Sequence, residues 1–352
     1  MTRFSKILAG FACGTALAAA AAVPVQAAEG ETLAAVKARG ALACSGHNGS
    51  YLGLAEVDDK GAWKGFDIDL CRAVATAVFG DYEGHLNILP TSWAQRWPSL
   101  QSGELDVIIK ASAWTTGRDS ELGFQFSNLY LMAPIQVMVR KELGATSIAD
   151  LDGGSVCLPA GTSVERSMAE YLKKIGITME FVVSEKTEES EAAYLSGRCD
   201  ASAQWDVQLA VLRLKAENPD DHMILPEAIS AEPVAMLARE GDDGWVDILN
   251  FTLTTLLAAE ENGVTSANVD EMKANPPTPS VGKMLGATPG YGERVGLSDD
   301  FGYNIIKKIG NYDEVWQRNL GSGSPYKLER GVNSLWQSGG VLWPILTGLI
   351  CA

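Results

Sequence analysis

The sequence is poor in the residues from which catalytic and metal sites are usually built. Only three histidines, His47, His85 and His222, occur in 352 residues, and none lies in metal-ligand spacing. There is no H-E-x-x-H motif, no nucleophile elbow and no C-x-x-C pair. The sequence therefore offers no recognisable catalytic motif, and we predict neither a metal nor a cofactor.

Positive charge is also scarce. Lysine and arginine total 28 against 44 aspartates and glutamates, which gives a formal net charge of −16. Such a field repels phosphate backbones and anionic lipid surfaces. A nucleic-acid partner is therefore not expected.

Long apolar runs occur only near the two ends of the chain. The first 27 residues combine a basic start, an apolar run over residues 7–23, the helix breaker Pro24 and a small residue at Ala27, which is typical of a secretory signal cleaved after Ala27. A membrane anchor is the alternative, but the run is short and rich in alanine. The last 12 residues are apolar and broken by Pro344, so we expect them to dock on the surface. We expect a periplasmic protein.

Export makes the cysteines candidates for disulfide bonds, because the periplasm is oxidising. Four cysteines of the mature chain allow three pairings. Pairing Cys44 with Cys71 and Cys157 with Cys199 keeps each bridge within one half of the chain. Cys351 is left without an assigned partner.

Strand and helix patterns alternate along the chain. The first half reads as strand "GALACSG", helix "GFDIDLCRAVATAVFG", strand "LNILP", helix "SWAQRWPSLQSGELD" and strand "DVIIKA". The alternation repeats in the second half, and no Pro/Ser-rich linker separates the two. This order predicts parallel sheets covered by helices on both faces, with ligand crevices beyond the carboxyl ends of the strands. Two further helices, near 299–309 and 312–320, are predicted in a C-terminal extension.

One cation stands out at such a strand end. Arg118 lies in the loop "KASAWTTGRDSELG", and a guanidinium binds a carboxylate through two parallel hydrogen bonds. In the second half, Thr162 or Ser163 caps a predicted helix, whose free N–H groups and dipole favour an anion. An anion held between these two places would be clamped by both halves. The alternative is that Arg118 pairs with Asp119 or Glu121 on the surface.

The mature chain resembles the periplasmic solute-binding component of bacterial general L-amino-acid ABC transporters. The motifs that carry this resemblance recur in order over about residues 40–340: "DDKGAWKGFDIDLCRAVATAVFGD", "LQSGELDV", "AWTTGRDSELG", "AAYLSGRCD", "NPDDHMILPEAIS", "GVTSANVDEM" and "YNIIKKIGNYDEVWQRNLGSGSP". The resemblance implies an α/β, two-lobed type II periplasmic-binding-protein fold with a helical C-terminal extension. It also implies closure around one ligand and docking on a membrane permease.

The resemblance predicts domain bounds as well. Residues 28–133 and 233–275 would form lobe 1, residues 134–232 lobe 2, and residues 276–352 an extension packed on lobe 1. Two segments near 130–134 and 228–233 would cross between the lobes. We expect a monomer.

Several site residues follow from the same resemblance. Arg118 matches the arginine that holds the ligand's α-carboxylate, and Ser163, with the backbone at Thr162, matches the second-lobe position that contacts the same group. Trp114 also occurs in the most similar subfamily. The four cysteines Cys44, Cys71, Cys157 and Cys199 fall on family cysteines, which supports the pairing given above.

The chain departs from the family pattern at three places. Ala111 and Ala113 replace residues that usually offer a polar side chain, which leaves Ser112 and backbone groups. Trp205 replaces the aspartate that binds the ligand's ammonium, and Asp206 follows one position later.

The third departure is the first pocket loop, which contains Tyr51 and is about one residue longer than the family pattern. Three explanations of the missing aspartate stay open: Asp206 turns inward, another acid substitutes, or the ligand has no primary α-amine. In the last case Trp205, Trp114, Trp93 and Tyr51 would form aromatic walls.

Two other functions share this fold. The first is a periplasmic dehydratase acting on prephenate- or arogenate-like acids, which would need a general acid such as Glu188, Glu189 or Asp206. The second is a sensory module that reports to a membrane receptor. Because the motif series and the extension match the transporter group, an amino-acid or related carboxylate receptor is the leading hypothesis.

Overall fold

The computed structural model describes residues 30–345. The predicted signal segment 1–27, Cys13 and Cys351 lie outside the described residues. No helix among residues 30–345 combines the length and the apolar character that a bilayer crossing requires.

The helices and strands fall into three consecutive groups. The first group is α1 (Glu31–Arg39), β1 (Leu42–His47), β2 (Glu56–Val57), β3 (Trp63–Lys64), α2 (Phe66–Phe79), β4 (Leu86–Thr91) and α3 (Arg96–Gln101). The second is β5 (Phe124–Arg140), β6 (Ser155–Pro159), α4 (Ser163–Ile175), β7 (Glu180–Ser184), α5 (Thr187–Leu195), β8 (Ala201–Trp205), α6 (Asp206–Lys215) and β9 (His222–Ile224). The third is β10 (Ser230–Arg239), α7 (Asp243–Glu261), α8 (Val269–Ala274), α9 (Pro279–Met284), α10 (Phe301–Ile309) and α11 (Tyr312–Asn319).

The first lobe is built around the parallel pair β1 and β4. The predicted strand "DVIIKA" forms only isolated bridges, from Val107 to Cys44 and from Ile108 to Leu237. The reason is that its N–H groups are divided between neighbours: Ile108 donates to Leu237, whereas Ile109 donates to the Ser45 hydroxyl. The segment is buried all the same, so it still joins β1 to β10 within the core.

The second lobe contains a sheet in the order β10-β5-β8-β6-β7. Its β5 is 17 residues long. The first part of β5 pairs with β10 and its last part with β8, so this strand extends from one lobe into the other. The two segments expected to cross between the lobes pair with each other, with Met132 opposite Pro233 and Pro134 opposite Ala231.

The C-terminal helices pack on the first lobe and reach β5. Helix α10 contacts α2 and α7, and α11 contacts α7 and α2. The Tyr312 hydroxyl donates to the carbonyl of Tyr130 at 2.7 Å. The Asn333 side chain accepts from the N–H of Met132 and donates to its carbonyl, at 2.7 and 3.0 Å. The extension is therefore hydrogen-bonded to β5 where β5 passes between the lobes.

Both predicted disulfide bonds are confirmed. Cys44 is joined to Cys71 and Cys157 to Cys199, with Cα–Cα distances of 6.1 and 5.7 Å. Each bridge ties a strand of one lobe to a neighbouring element of the same lobe. Because all four sulfurs are buried, each bridge lies in the core of its lobe.

We predict that Cys44→Ser with Cys71→Ser lowers the free energy of unfolding by about 3–4 kcal/mol, because the bridge restricts the unfolded chain across its loop. Urea unfolding followed by circular dichroism measures the difference. The parent protein in reducing buffer is the control, since there the difference due to this bridge should vanish. Equal stability of the two proteins in oxidising buffer would contradict the prediction.

Candidate functional site

The loop that carries Arg118 is anchored by a buried carboxylate. Ala111 has a φ of 41°, in the left-handed region that alanine rarely adopts. Its N–H donates to Asp67 of α2 at 2.9 Å, and the Tyr130 hydroxyl donates to the same carboxylate at 2.9 Å. Burial raises the pKa of Asp67 to about 7, although both hydrogen bonds oppose that rise. The loop is thus tied both to α2 and to β5.

Arg118 lies in a single π-helical turn, Gly117–Glu121, and is only 9% exposed. Its Nη1 donates to the carbonyl of Ala113 at 2.6 Å, and its guanidinium lies 4.9 Å from the centre of the Trp97 ring. Burial lowers the pKa of Arg118 to about 10, so the group is charged at neutral pH. The salt bridges found within residues 30–345 do not include Arg118.

The alternative surface pairing of Arg118 is not what the structure has. The carboxylate of Asp119 accepts from the indole N–H of Trp114 at 2.7 Å instead. No ion pair joins Arg118 to Asp119 or Glu121 among the described residues. The remaining N–H groups of the guanidinium are consequently available to a ligand.

The second lobe presents the start of α4 to the same space. Thr162 is the N-cap, and its hydroxyl accepts from the N–H of Glu165. The Glu165 carboxylate accepts in turn from the N–H of Gly161 at 2.8 Å. The N–H groups at Ser163 and Val164 have no acceptor within their own helix, as in the first turn of any α-helix. Free N–H groups at the start of a helix favour an anion, and α4 presents such groups where the sequence predicts them.

A narrow cavity of about 10 Å³ lies between the two lobes, with five lining residues from each. Those residues are Tyr51, Trp93, Arg96, Ala111 and Arg118 from the first lobe, and Thr162, Ser163, Val164, Gln204 and Trp205 from the second. Six residues nominated from the sequence therefore meet: Tyr51, Trp93, Arg118, Thr162, Ser163 and Trp205.

Three other nominated residues lie outside the cavity lining. Ser112 is fully buried, and its hydroxyl donates to the carbonyl of Lys110 at 2.8 Å. Trp114 is 42% exposed, and its ring stacks on Phe126. Asp206 begins α6, and one of its oxygens accepts from the N–H of Val207 at 2.7 Å.

Arg96 was not nominated from the sequence, yet it lines the cavity. It is 1% exposed, and its guanidinium lies 3.8 Å from the centre of the Trp97 ring and 4.9 Å from that of Trp93. Its Nη1 donates to the carbonyl of Trp93 at 2.5 Å, whereas its buried Nε has no hydrogen-bond partner. Burial and the nearby Arg118 both lower its pKa. The flanking tryptophans are the sequence signal that could have identified it.

Glu232 is the second residue that the sequence reasoning missed. This β10 residue is 6% exposed, and its Oε2 accepts from the Ser163 hydroxyl at 2.8 Å and from the Trp205 indole at 2.9 Å. Its charge raises the pKa of Arg118, against the effect of burial. Nothing local in "AEPV" indicates that this acid would reach two cavity residues that lie far from it in the sequence.

The lobes also touch beside the cavity. The N–H of Ser50 donates to the carboxylate of Glu188, and the Gln208 side chain donates to the carbonyl of Leu52 at 3.1 Å. The Tyr51 and Trp205 rings lie 6.5 Å apart, nearly edge to face. The first pocket loop is therefore in direct contact with α5 and α6. Within the described residues, no group of three or more His, Cys, Asp or Glu side chains is placed to hold a metal ion.

Residues 45–263 of the chain match the family of bacterial extracellular solute-binding proteins, family 3. The chain belongs to this family. The general L-amino acid-binding periplasmic protein AapJ of Rhizobium johnstonii is 44% identical over 92% of this chain and 95% of its own length. The putative amino-acid ABC transporter-binding protein YhdW of Escherichia coli K12 is 41% identical over 91% of this chain and 93% of its own length.

A solved relative extends the comparison to the whole fold of this family-3 protein. It is an ABC transporter periplasmic binding protein from Brucella ovis with glutathione bound. It is 43% identical and superposes with a TM-score of 0.85 over 90% of this chain and 99% of its own. The two-lobed type II architecture expected from the sequence is thereby confirmed.

The buried position of Asp206 has a consequence for stability. Burial raises its pKa to about 6, above the ordinary value of 3.8, so the folded state favours the protonated form. The stability that goes with protonation is present below pH 4 and is lost as the pH rises through 6. We predict that Asp206→Asn removes this loss, which amounts to about 2 kcal/mol relative to the parent protein at pH 7.

Urea unfolding at pH 4, 5, 6 and 7 measures the effect. The matched control is Asp59→Asn at an exposed position, which should leave the pH dependence of the parent unchanged. A difference between Asp206→Asn and the parent that is constant over this range would contradict the prediction.

Proposed function

We propose that this protein is the periplasmic solute receptor of an ABC importer and binds an amino acid or a similar small carboxylate between its two lobes. The observation that carries the proposal is the position of Arg118. This charged guanidinium is buried at the lobe junction, forms no ion pair among the described residues although the Glu232 charge acts on it, and lines one cavity with the N-terminal end of α4.

A carboxylate fits this arrangement for electrostatic reasons. A buried cation without a counter-charge costs free energy, and an anionic ligand reduces that cost. The planar guanidinium can bond to both oxygens of a carboxylate, and the first N–H groups of α4 add donors from the other side. A ligand held in this way contacts both lobes, so binding favours their approach.

The names of the relatives agree with this ligand class. AapJ is named for general L-amino-acid binding, and the Brucella ovis structure is described with glutathione bound. The ligands in those names and the chemistry of the cavity have one class in common, a small molecule that bears a carboxylate.

We propose that residues 28–133 and 233–275 form lobe 1 and that residues 134–232 form lobe 2. Residues 276–352 form the extension. Strands β5 and β10 supply the connections about which the lobes would move. We propose that the chain is exported through a signal peptide cleaved after Ala27, works as a monomer, and delivers its ligand to a membrane permease.

A receptor is favoured over an enzyme by the placement of the candidate general acids. Glu188 accepts from the Ser50 N–H, Glu189 is exposed, and Asp206 accepts from its own helix. None of the three lines the cavity. Incubation of the protein with its ligand separates the two functions directly. A receptor returns the ligand unchanged, whereas an enzyme yields a product.

We predict that Arg118→Ala weakens binding of carboxylate ligands at least about 100-fold, because it removes a buried, charge-assisted contact. Titration calorimetry against a ligand found by a thermal-shift screen of amino acids, betaines and keto acids measures the loss. The control is Arg294→Ala at an exposed position in the C-terminal extension, with circular dichroism to check that both variants fold. Unaltered affinity in folded Arg118→Ala would overturn the proposal.

A further inference from the structure

The cavity requires a negative group if its ligand is an α-amino acid. The family position that binds the ligand's ammonium is Trp205 in this chain, and an indole cannot neutralise a positive charge as a carboxylate does. Neither Asp206 nor Glu232 is among the cavity-lining residues. The Asp206 carboxylate accepts from the N–H of Val207 in its own helix, whereas the Glu232 carboxylate accepts from two lining residues, Ser163 and Trp205. We propose that Glu232 is the acid that binds the ligand's ammonium. It lies on β10, and its carboxylate is hydrogen-bonded to Trp205. This inference rests on the proposed function and adds the residue that binds the ammonium group of the ligand.

The hydrogen bonds of Glu232 fix its orientation. Both donors, the Ser163 hydroxyl and the Trp205 indole, bond to the same oxygen, Oε2. The other oxygen, Oε1, accepts no hydrogen bond from residues 30–345 and is not among their buried polar atoms without a partner. One carboxylate oxygen is thus held in place while the other remains available. Trp205 acts as a positioning residue, because its N–H holds the acid that its own side chain cannot supply.

Glu232 also lies at a suitable place relative to Arg118. An α-amino acid carries its ammonium and its carboxylate on the same carbon, so the two partner groups must lie near each other. Ser163 and Trp205, the two donors to Glu232, line the same cavity as Arg118, and the Glu232 charge acts on the Arg118 guanidinium. A ligand with its carboxylate on Arg118 and the start of α4 therefore has its ammonium on the Glu232 side.

The position of Glu232 in the fold preserves this arrangement during lobe movement. It pairs opposite Ala133 in the β5–β10 ladder, next to the residues where both strands pass between the lobes. A group in that ladder moves less than groups far out on either lobe. Its two donors belong to the second lobe, and Arg118 belongs to the first.

A second role for Glu232 makes a different prediction. Because it accepts from Ser163, it could stand in for a ligand carboxylate and compete with the ligand. Removal of its charge would then strengthen binding of every carboxylate, with or without an amino group. If it binds the ammonium, removal of its charge affects only ligands that carry one.

The test compares matched probes that differ only in the α-amino group: L-glutamate with glutarate, L-glutamine with glutaramate, and L-leucine with 4-methylpentanoate. Dissociation constants are measured for the full mature chain by titration, or by displacement of the amino acid where the second probe is weak. Glu232→Gln should weaken binding of the amino acid about 30-fold or more and change binding of its des-amino counterpart less than about threefold. Trp205→Phe, which removes the indole N–H, should shift selectivity in the same direction by a smaller factor.

The controls separate the possible outcomes. Glu189→Gln is the matched exposed variant and should leave both constants unchanged. Equal loss for both probes, no loss for either, or a gain for both in folded Glu232→Gln would overturn the role of Glu232 and leave the proposed function standing. If the wild-type protein binds only the des-amino carboxylates, the role of Glu232 fails and the proposed function stands. If it binds neither member of any pair, both fail.

Discussion

Buried positive charge that forms no ion pair is the constraint on which this site depends. Arg118 and Arg96 are 9% and 1% exposed, line the same cavity, and form no ion pair within residues 30–345. Removing a charged group from water costs several kcal/mol when nothing nearby compensates it. The aromatic faces of Trp93 and Trp97 and single backbone carbonyls offset part of that cost. An anionic ligand offsets more of that cost, so the cavity favours a ligand that carries a negative charge.

The fold places the Arg118 loop beside β5, the strand that extends from one lobe into the other. Asp67 fixes the loop that precedes Arg118 and bonds to Tyr130 of β5, so the loop and the connection between the lobes share one anchor. The C-terminal extension bonds to β5 at Tyr130 and Met132. Opposite the loop, α4 presents its first N–H groups. A ligand that bonds to Arg118 and to α4 would therefore contact the two lobes between which β5 extends.

Local patterns were enough to predict much of this arrangement. Arg118 follows an apolar segment at a strand end, and Thr162 precedes a helical pattern, so each could be placed from its neighbours in sequence. The disulfide pairing followed from export, spacing and resemblance. Arg96 and Glu232 could not be found in this way, because their roles depend on tertiary contacts with Trp97, Ser163 and Trp205. Trp114, nominated from the resemblance, stacks on Phe126 and does not line the cavity, so its predicted contact with a ligand stays a prediction.

A crystal structure of the mature protein with an amino acid soaked or co-crystallised tests the central claim most directly. We expect the ligand's carboxylate to accept two hydrogen bonds from the Arg118 guanidinium at about 2.7–2.9 Å and at least one from the first N–H groups of α4. A ligand seated elsewhere, or one whose carboxylate does not contact Arg118, would contradict the account.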